Sequence, residues 1–241
     1  GMYSDTIDGQ KGYDLLVFED RPSMISHHRG TVTGNGFAWY PDAEGNVWEG
    51  NGPGGKIRMH RFAGFDGEGR PQFEVDAEYD RPDELEYVAR IYYDAADDVM
   101  YLSGYRPDQR NGLPWNVTGT HVCRYDDWKA GNRTARYTAE LPFDQNPGRS
   151  LPPKTLYVAG DYIFSVAVRP AHGISQKVTV LDAHTGEKVG TMSASDKFYG
   201  LGWVDITRGL IAYQRSSGEY IVIVEDNGYA KNVIYRWRPN D

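Results

Sequence analysis

The sequence has little of what several protein classes require. Cys123 is the one cysteine among 241 residues, which excludes an internal disulfide framework and a cysteine-rich zinc module. No apolar run approaches the ~18 residues of a membrane helix, so we expect no membrane insertion. Helical periodicity is almost absent, with one short candidate at 193–198. The sequence also lacks a Gly-x-Ser-x-Gly elbow, a His-Glu-x-x-His motif and a phosphate-binding loop.

Basic residues are in deficit as well, and the net charge is −8. Residues 74–98 hold ten acidic side chains against Arg81 and Arg90, so this stretch alone carries the whole excess. Because no basic stripe exists to release the counterions of a polyanion, we expect no nucleic-acid partner. We interpret the acidic stretch as a solvated outer loop; the alternative is a site for a cation or a basic partner.

Frequent strand signals stand in place of helices. Apolar or alternating runs bounded by Gly, Asp, Asn or Pro predict about sixteen short antiparallel strands. They group into a repeat whose first-turn aspartates, Asp42, Asp94, Asp161 and Asp205, are 52, 67 and 44 residues apart. This pattern predicts an all-β fold, a β-propeller of four-stranded antiparallel blades with five blades or part of a larger ring. We assign 1–241 to one propeller domain with repeats at 9–30 (a half), 31–80, 81–145, 151–196 and 197–241.

Some of these segments resemble a known family. The turn Asp42-x-x-Gly45-Asn46-Val47-Trp48 is similar to the Asp-x-x-Gly-Asn-[Ile/Val]-[Trp/Tyr] turn of NHL-repeat and related bacterial six-bladed propellers. The segments at 55–71 and 202–239 also resemble parts of large bacterial NHL-type extracytoplasmic proteins. This resemblance implies a propeller and favours an extracytoplasmic location, although no signal peptide follows Met2. Propellers of this kind include binding scaffolds, lactonases, lyases and glycosidases.

The candidate site is a polar and aromatic funnel where the loops between repeats meet those after second strands. We expect it to contain the ligand-binding residues His27, His28, Arg106, Trp115, His172, Tyr199 and Arg215. An exposed Trp115, Tyr105 or Trp128 in or beside the insert of the second repeat could stack on a sugar ring. We interpret four further tryptophans as core residues or as packing residues between blades: Trp39, Trp48, Trp203 and Trp237.

We expect no cofactor. A divalent metal ion belongs only to the alternative hypothesis, in which the chain is a metal-dependent enzyme. His27 and His28 could share a metal only on a loop, where His172 or His121 would add a ligand. A metal ion at the propeller axis, as in a lactonase, would have Asp205, Asp161 and Asn35 as its candidate ligands.

Two functions follow from these observations. The first is a recognition or scaffold module that binds a protein or glycan ligand through loops at one end of the ring. The alternative is a metal-dependent propeller hydrolase or lyase, lactonase-like or carbohydrate-active, with its site at the axis.

Overall fold

The computed structural model describes the side chains of residues 38–67, 69, 71–107, 119–141, 155–166, 177–193, 209–225 and 232–239. It also gives the strand backbone between residues 4 and 33 and at 207–208, 226 and 231. Within these residues the chain is almost entirely strands and turns, and a 3-10 turn spans Pro53–Gly55. None of the helical segments in this described part has the length and hydropathy needed to cross a bilayer.

The chain divides into two compact units, residues 1–81 and 82–241. In the first, sheet 1 contains three antiparallel strands: β1 (Ser4–Ile7), β2 (Gln10–Phe18) and β3 (Met24–Thr33). Sheet 2 contains four: β4 (Trp39–Pro41), β5 (Val47–Glu49), β6 (Ile57–Phe65) and β7 (Pro71–Tyr79).

The second unit contains three further sheets, each an antiparallel meander in chain order. Sheet 3 consists of β8 (Tyr87–Asp94), β9 (Val99–Tyr105), β10 (Thr120–Tyr125) and β11 (Tyr137–Leu141). Sheet 4 consists of β12 (Tyr157–Ala159), β13 (Tyr162–Val166), β14 (Val178–Asp182) and β15 (Lys188–Met192). Sheet 5 consists of β16 (Thr207–Gln214), β17 (Tyr220–Asp226) and β18 (Lys231–Trp237).

Face-to-face stacking holds the sheets of the second unit together. The neighbouring residues Ile163 and Phe164 of β13 are both fully buried, but in different cores. Ile163 joins Tyr101 and Val122 of sheet 3, whereas Phe164 joins Leu210 and other residues of sheet 5. The inner strands β13 and β14 of sheet 4 are therefore covered on both faces, which is why they are largely apolar rather than alternating. This stacking of small meanders confirms the prediction of an all-β fold built from propeller-type blades.

The first part of the acidic stretch forms a strand and not the expected outer loop. Glu74, Asp76 and Glu78 lie on strand β7, and Asp80 follows it directly. These side chains are solvated, but basic residues of β6 or just before it pair with them across the hairpin. The pairs are Arg61 with Glu74 at 3.2 Å and Asp76 at 3.4 Å, Arg58 with Glu78 at 2.6 Å, and Lys56 with Asp80. Three basic side chains thus offset part of the negative charge of these four carboxylates.

Candidate ligand-recognition surface

The short turns of sheets 3, 4 and 5 lie at one common end of the second unit, which we call the turn end. It comprises the turns at 95–98, 126–136, 160–161, 183–187 and 215–219. Between sheets 3 and 4, the Tyr137 hydroxyl donates to the Ala183 carbonyl oxygen at 3.0 Å. Between sheets 4 and 5, the Tyr162 and Tyr220 rings meet edge to face, 5.3 Å apart. Arg106 follows β9 at the opposite end, because successive strands of each meander run antiparallel.

Arg124, at the end of β10, links sheet 3 to sheet 4. Its Nη1 donates to the Ala183 carbonyl oxygen at 2.9 Å, and its Nε donates to Asp126 Oδ1 at 2.7 Å. The guanidinium also lies over the Tyr101 ring, 5.7 Å from its centroid. The Arg124 residue is 9% exposed, so these contacts are shielded from water and fix the position of one sheet against the next.

Three arginines of sheet 5 surround one carboxylate at the turn end. We call this set, Arg215, Arg236, Arg238 and Glu219, the arginine cluster. Arg236 donates to Glu219 Oε1 from Nε at 2.9 Å and from Nη2 at 2.8 Å. Arg215 Nη1 reaches Glu219 Oε2 at 3.3 Å, and Arg238 Nε lies 3.5 Å from Oε1. The Glu219 side chain is 4% exposed, whereas the three arginine side chains are 55–67% exposed.

Local backbone structure explains this arrangement. Gly218, with φ of +80°, closes the turn by donating its N–H to the Arg215 carbonyl oxygen at 2.9 Å. The Arg215 N–H in turn donates to the Glu219 carbonyl oxygen at 2.8 Å. Ile221 pairs with Arg236 in the neighbouring strand, which places Arg236 and Arg238 close to the start of β17.

The electrostatics of the cluster favour its charged state. The hydrogen bond from Arg236 lowers the pKa of Glu219, and the bond to Glu219 raises the pKa of Arg236. Three guanidinium charges against one carboxylate leave the cluster with a charge of +2, although the chain carries −8. Most of the guanidinium donors remain available to solvent, so this surface can accept an anionic group.

Of the predicted ligand-binding residues, Arg106 and Arg215 have described side chains, and the structure places them apart. Arg215 belongs to the turn end, whereas Arg106 is exposed at the opposite end of the same unit. The turn at 215–219 joins the first two described strands of sheet 5 and lies beside Gly160, which forms the first turn of sheet 4. Arg106 and Arg215 therefore lie at different ends of the second unit, and ligand binding by either one stays a prediction.

The predicted histidines are also placed differently from the expectation. His27 and His28 occupy consecutive positions of strand β3, paired with Leu16 and Leu15, and not a loop. The loop on which a shared metal depended is thus not observed. Trp115, His172 and Tyr199 lie outside the described residues, and their role in ligand binding stays a prediction.

Two aromatic residues considered for sugar stacking are buried. Trp128 is 0% exposed and Tyr105 is 2% exposed, so neither offers a ring face to a ligand. Trp128 packs edge to face against Tyr125, and Arg133 covers its ring at 3.8 Å from the centroid. Trp48 is also fully buried and Trp237 packs against the core between sheets 4 and 5, as expected for packing residues.

The described residues contain no group of three or more His, Cys, Asp or Glu side chains able to hold a metal ion. The residues considered as ligands are dispersed. His121 is buried in β10, and Asp161 pairs with His184 at the turn end, 3.1 Å apart. Asp205 and Asn35 lie outside the described side chains. A buried pair, Glu49 Oε2 and His60 Nε2 at 3.1 Å, connects β5 to β6.

Sequence reasoning missed Glu219, Arg236 and Arg238. An available signal was the alternation Tyr235-Arg-Trp-Arg238, which in a strand places both arginines on the same side. The acceptor Glu219 gave little signal, because Arg236, which donates to it twice, is on a neighbouring strand 17 residues away.

Comparison with known proteins does not identify a family for the chain. No protein-family model matches the chain and no curated protein sequence matches it, so membership of the NHL-repeat family is not confirmed. The fold class defined by the stacked meanders is that of β-propeller-type proteins.

The solved structures named below match the chain at 13% identity or less and at TM-scores under 0.5. They include the tail fiber of Staphylococcus aureus phage P68 (12% identity, 98% of this chain and 46% of that chain, TM-score 0.45). Kluyveromyces lactis Hsv2 matches with 7% identity over 100% of this chain and 71% of that chain, at a TM-score of 0.43. Chaetomium thermophilum Sqt1 matches with 13% identity over 99% of this chain and 57% of that chain, at a TM-score of 0.38. The chain therefore spans less than half the length of the tail fiber and under two thirds of Sqt1.

Proposed function

We propose that this chain is a recognition module that binds a protein or glycan ligand through exposed side chains at one end of its sheets. The arginine cluster is the observation that carries the proposal. It presents three exposed guanidinium groups in a fixed arrangement, and Arg215 is one of the residues that the sequence predicts to bind a ligand. A preorganised set of donors loses little conformational entropy on binding.

The rigidity of the supporting sheets strengthens this proposal. Arg124 and Tyr137 hold the turn of sheet 4 against sheet 3, and the Tyr162–Tyr220 contact holds sheet 5 against sheet 4. Side chains on neighbouring turns therefore keep fixed positions relative to one another. Such a scaffold with varied turns suits recognition, and the resemblance of the turn at 42–48 to NHL-repeat proteins supports an extracytoplasmic bacterial setting.

The experiment uses the purified chain, fluorescently labelled, on a glycan array and on a peptide array at physiological ionic strength. We expect reproducible, saturable binding on one of the two arrays. A Trp115→Ala variant tests sugar stacking, because it should lose signal on the glycan array and leave peptide signals unchanged. Absence of saturable binding on both arrays would contradict the recognition function.

Metal analysis separates the enzymatic alternative from the proposal. We expect the purified chain to show no thermal shift with Ca²⁺, Mn²⁺ or Zn²⁺. A stoichiometric, tightly bound divalent ion, together with hydrolysis or elimination of a lactone or polysaccharide, would favour the metal-dependent hydrolase or lyase instead.

A further inference from the structure

Sheet 5 has one face in the core and one face in solvent. Leu210 and Ala212 of β16 are buried against sheet 4, whereas the alternate residues Ile211 and Tyr213 are each 51% exposed. Ile234 of β18 is 64% exposed. The strand register places Ile211, Ile223 and Ile234 in one row across the three strands, so the solvent face carries an apolar patch.

The arginine cluster adjoins this patch. The next row of the same face runs from Tyr213 through Ile221 to Arg236. Arg215 follows the end of β16 and Arg238 follows the end of β18, and all three arginines contact Glu219. The solvent face of sheet 5 is therefore apolar in its middle and basic at its turn end, and the exposed Glu225 lies at its other end.

We propose that this face binds a short acidic segment of a partner protein in which aliphatic or aromatic side chains alternate with carboxylates. The inference rests on the proposed recognition function and names its ligand class. The apolar side chains of the segment cover Ile211, Tyr213 and Ile234. Its carboxylates accept hydrogen bonds from the arginines, as Glu219 already does within the chain.

Charge complementarity selects this occupant over an anionic glycan. The cluster carries +2, which matches a segment with two or three carboxylates. A sulfated glycan of high charge density carries anions along its whole length, whereas the cluster offers three cations at one end of the face only. A glycan of that kind also offers little apolar surface for the isoleucine row. A peptide with both kinds of side chain satisfies both parts of the face.

The test measures fluorescence anisotropy with a labelled peptide of about ten residues that alternates Asp or Glu with Leu or Phe. We expect saturable binding with a Kd below about 100 µM, weakened by salt. A peptide with Asn and Gln in place of Asp and Glu should bind about tenfold more weakly or worse. Heparin and inorganic phosphate are the competing probes, and neither should displace the peptide at comparable concentration.

Substitutions on the solvent face of sheet 5 test whether the peptide binds there. The double variant Arg215→Gln/Arg238→Gln keeps Arg236 paired with Glu219, so no buried carboxylate is left alone. It should weaken peptide binding about tenfold with an unchanged melting temperature. Ile234→Ser should weaken binding by a similar factor. The matched control is Arg61→Gln, since Arg61 is 51% exposed and paired with Glu74 and Asp76 in sheet 2, and it should change neither quantity.

Several results would overturn the inference: no peptide binding, undiminished binding by the double variant, or preferential binding of heparin. A dimer of the chain that the peptide cannot dissociate would do so too, because a second copy would then occupy the face. A large fall in melting temperature with Ile234→Lys would show that the face is internal. If saturable binding persists on the arrays while the peptide fails, the recognition function stands and this ligand class is wrong.

Discussion

The Trp48 indole Nε1 donates a hydrogen bond to Asp42 Oδ2 at 2.9 Å, inside a turn where Trp48 is fully buried. The other oxygen, Oδ1, accepts the backbone N–H groups of Glu44 and Asn46 at 3.0 and 2.9 Å. One carboxylate thus closes the turn and satisfies the indole. This is the physical reason for the spacing Asp42-x-x-Gly45-Asn46-Val47-Trp48, since Gly45 takes a φ of +84° to let the chain reverse.

Replacing Asp42 with Ala should therefore destabilise the protein by about 2–3 kcal/mol, because the buried Trp48 N–H loses its acceptor and the turn loses its cap. Urea unfolding followed by tryptophan fluorescence measures the change. The control is Glu44→Gln, which keeps the backbone N–H groups of the turn. Its free energy of unfolding should stay within about 0.5 kcal/mol of the wild-type value. Equal stability of Asp42→Ala and the wild type would contradict this account of the motif.

Gly186 and Gly218 have similar backbone angles, with φ of +77° and +80°, but different surroundings. A Cβ at Gly186 would lie 2.5 Å from the Tyr137 ring, whereas nothing lies within 4 Å of a Cβ at Gly218. Both Ala variants should be destabilised by about 1–2 kcal/mol, because alanine is strained in the left-handed backbone conformation. Gly186→Ala should lose about 1–3 kcal/mol more through overpacking, and equal urea midpoints would contradict that.

Arg124 and Arg136 both donate to Asp126, but only Arg124 is buried and reaches sheet 4. Arg124→Met should cost about 2–4 kcal/mol, because the Ala183 carbonyl and Asp126 each lose a donor inside the sheet stack. Arg136→Met should cost less than about 1 kcal/mol, as expected for an exposed pair. Thermal unfolding of both variants measures the difference, and a reversed order would refute the role of Arg124.

The residues that sequence reasoning placed well are those governed by local rules. Strand β5 at Val47–Glu49 and strand β15 at Lys188–Met192 each lie beside a turn rich in Gly, Asp or Asn, and such turn signals act over a few positions. The buried state of Trp128 depended on Arg133 covering its ring, which no pattern of apolar residues reports. The arginine cluster likewise depends on pairing between strands that are distant in sequence.

Acid should weaken the folded state through two carboxylates. The hydrogen bond from Arg236 lowers the pKa of Glu219, and although burial acts in the opposite direction, bonds from Arg124 and Arg136 lower that of Asp126. Because these folded-state pKa values lie below the unfolded ones, their stabilisation is present above about pH 4–5 and lost as pH falls below it. Urea midpoints at successive pH values should decline in that range. Glu219→Gln should decline less steeply, and a parallel decline would exclude Glu219 as a contributor.

Cys123 should be unreactive in the folded protein. Burial raises the pKa of its thiol to about 11, and the side chain is 0% exposed. At pH 8 the thiolate fraction is then small and a thiol reagent such as DTNB has no access, so we expect negligible labelling of the native chain. Guanidinium should restore stoichiometric labelling, which serves as the control. Rapid labelling without denaturant would show that β10 opens readily or that Cys123 is not enclosed by the stacked sheets.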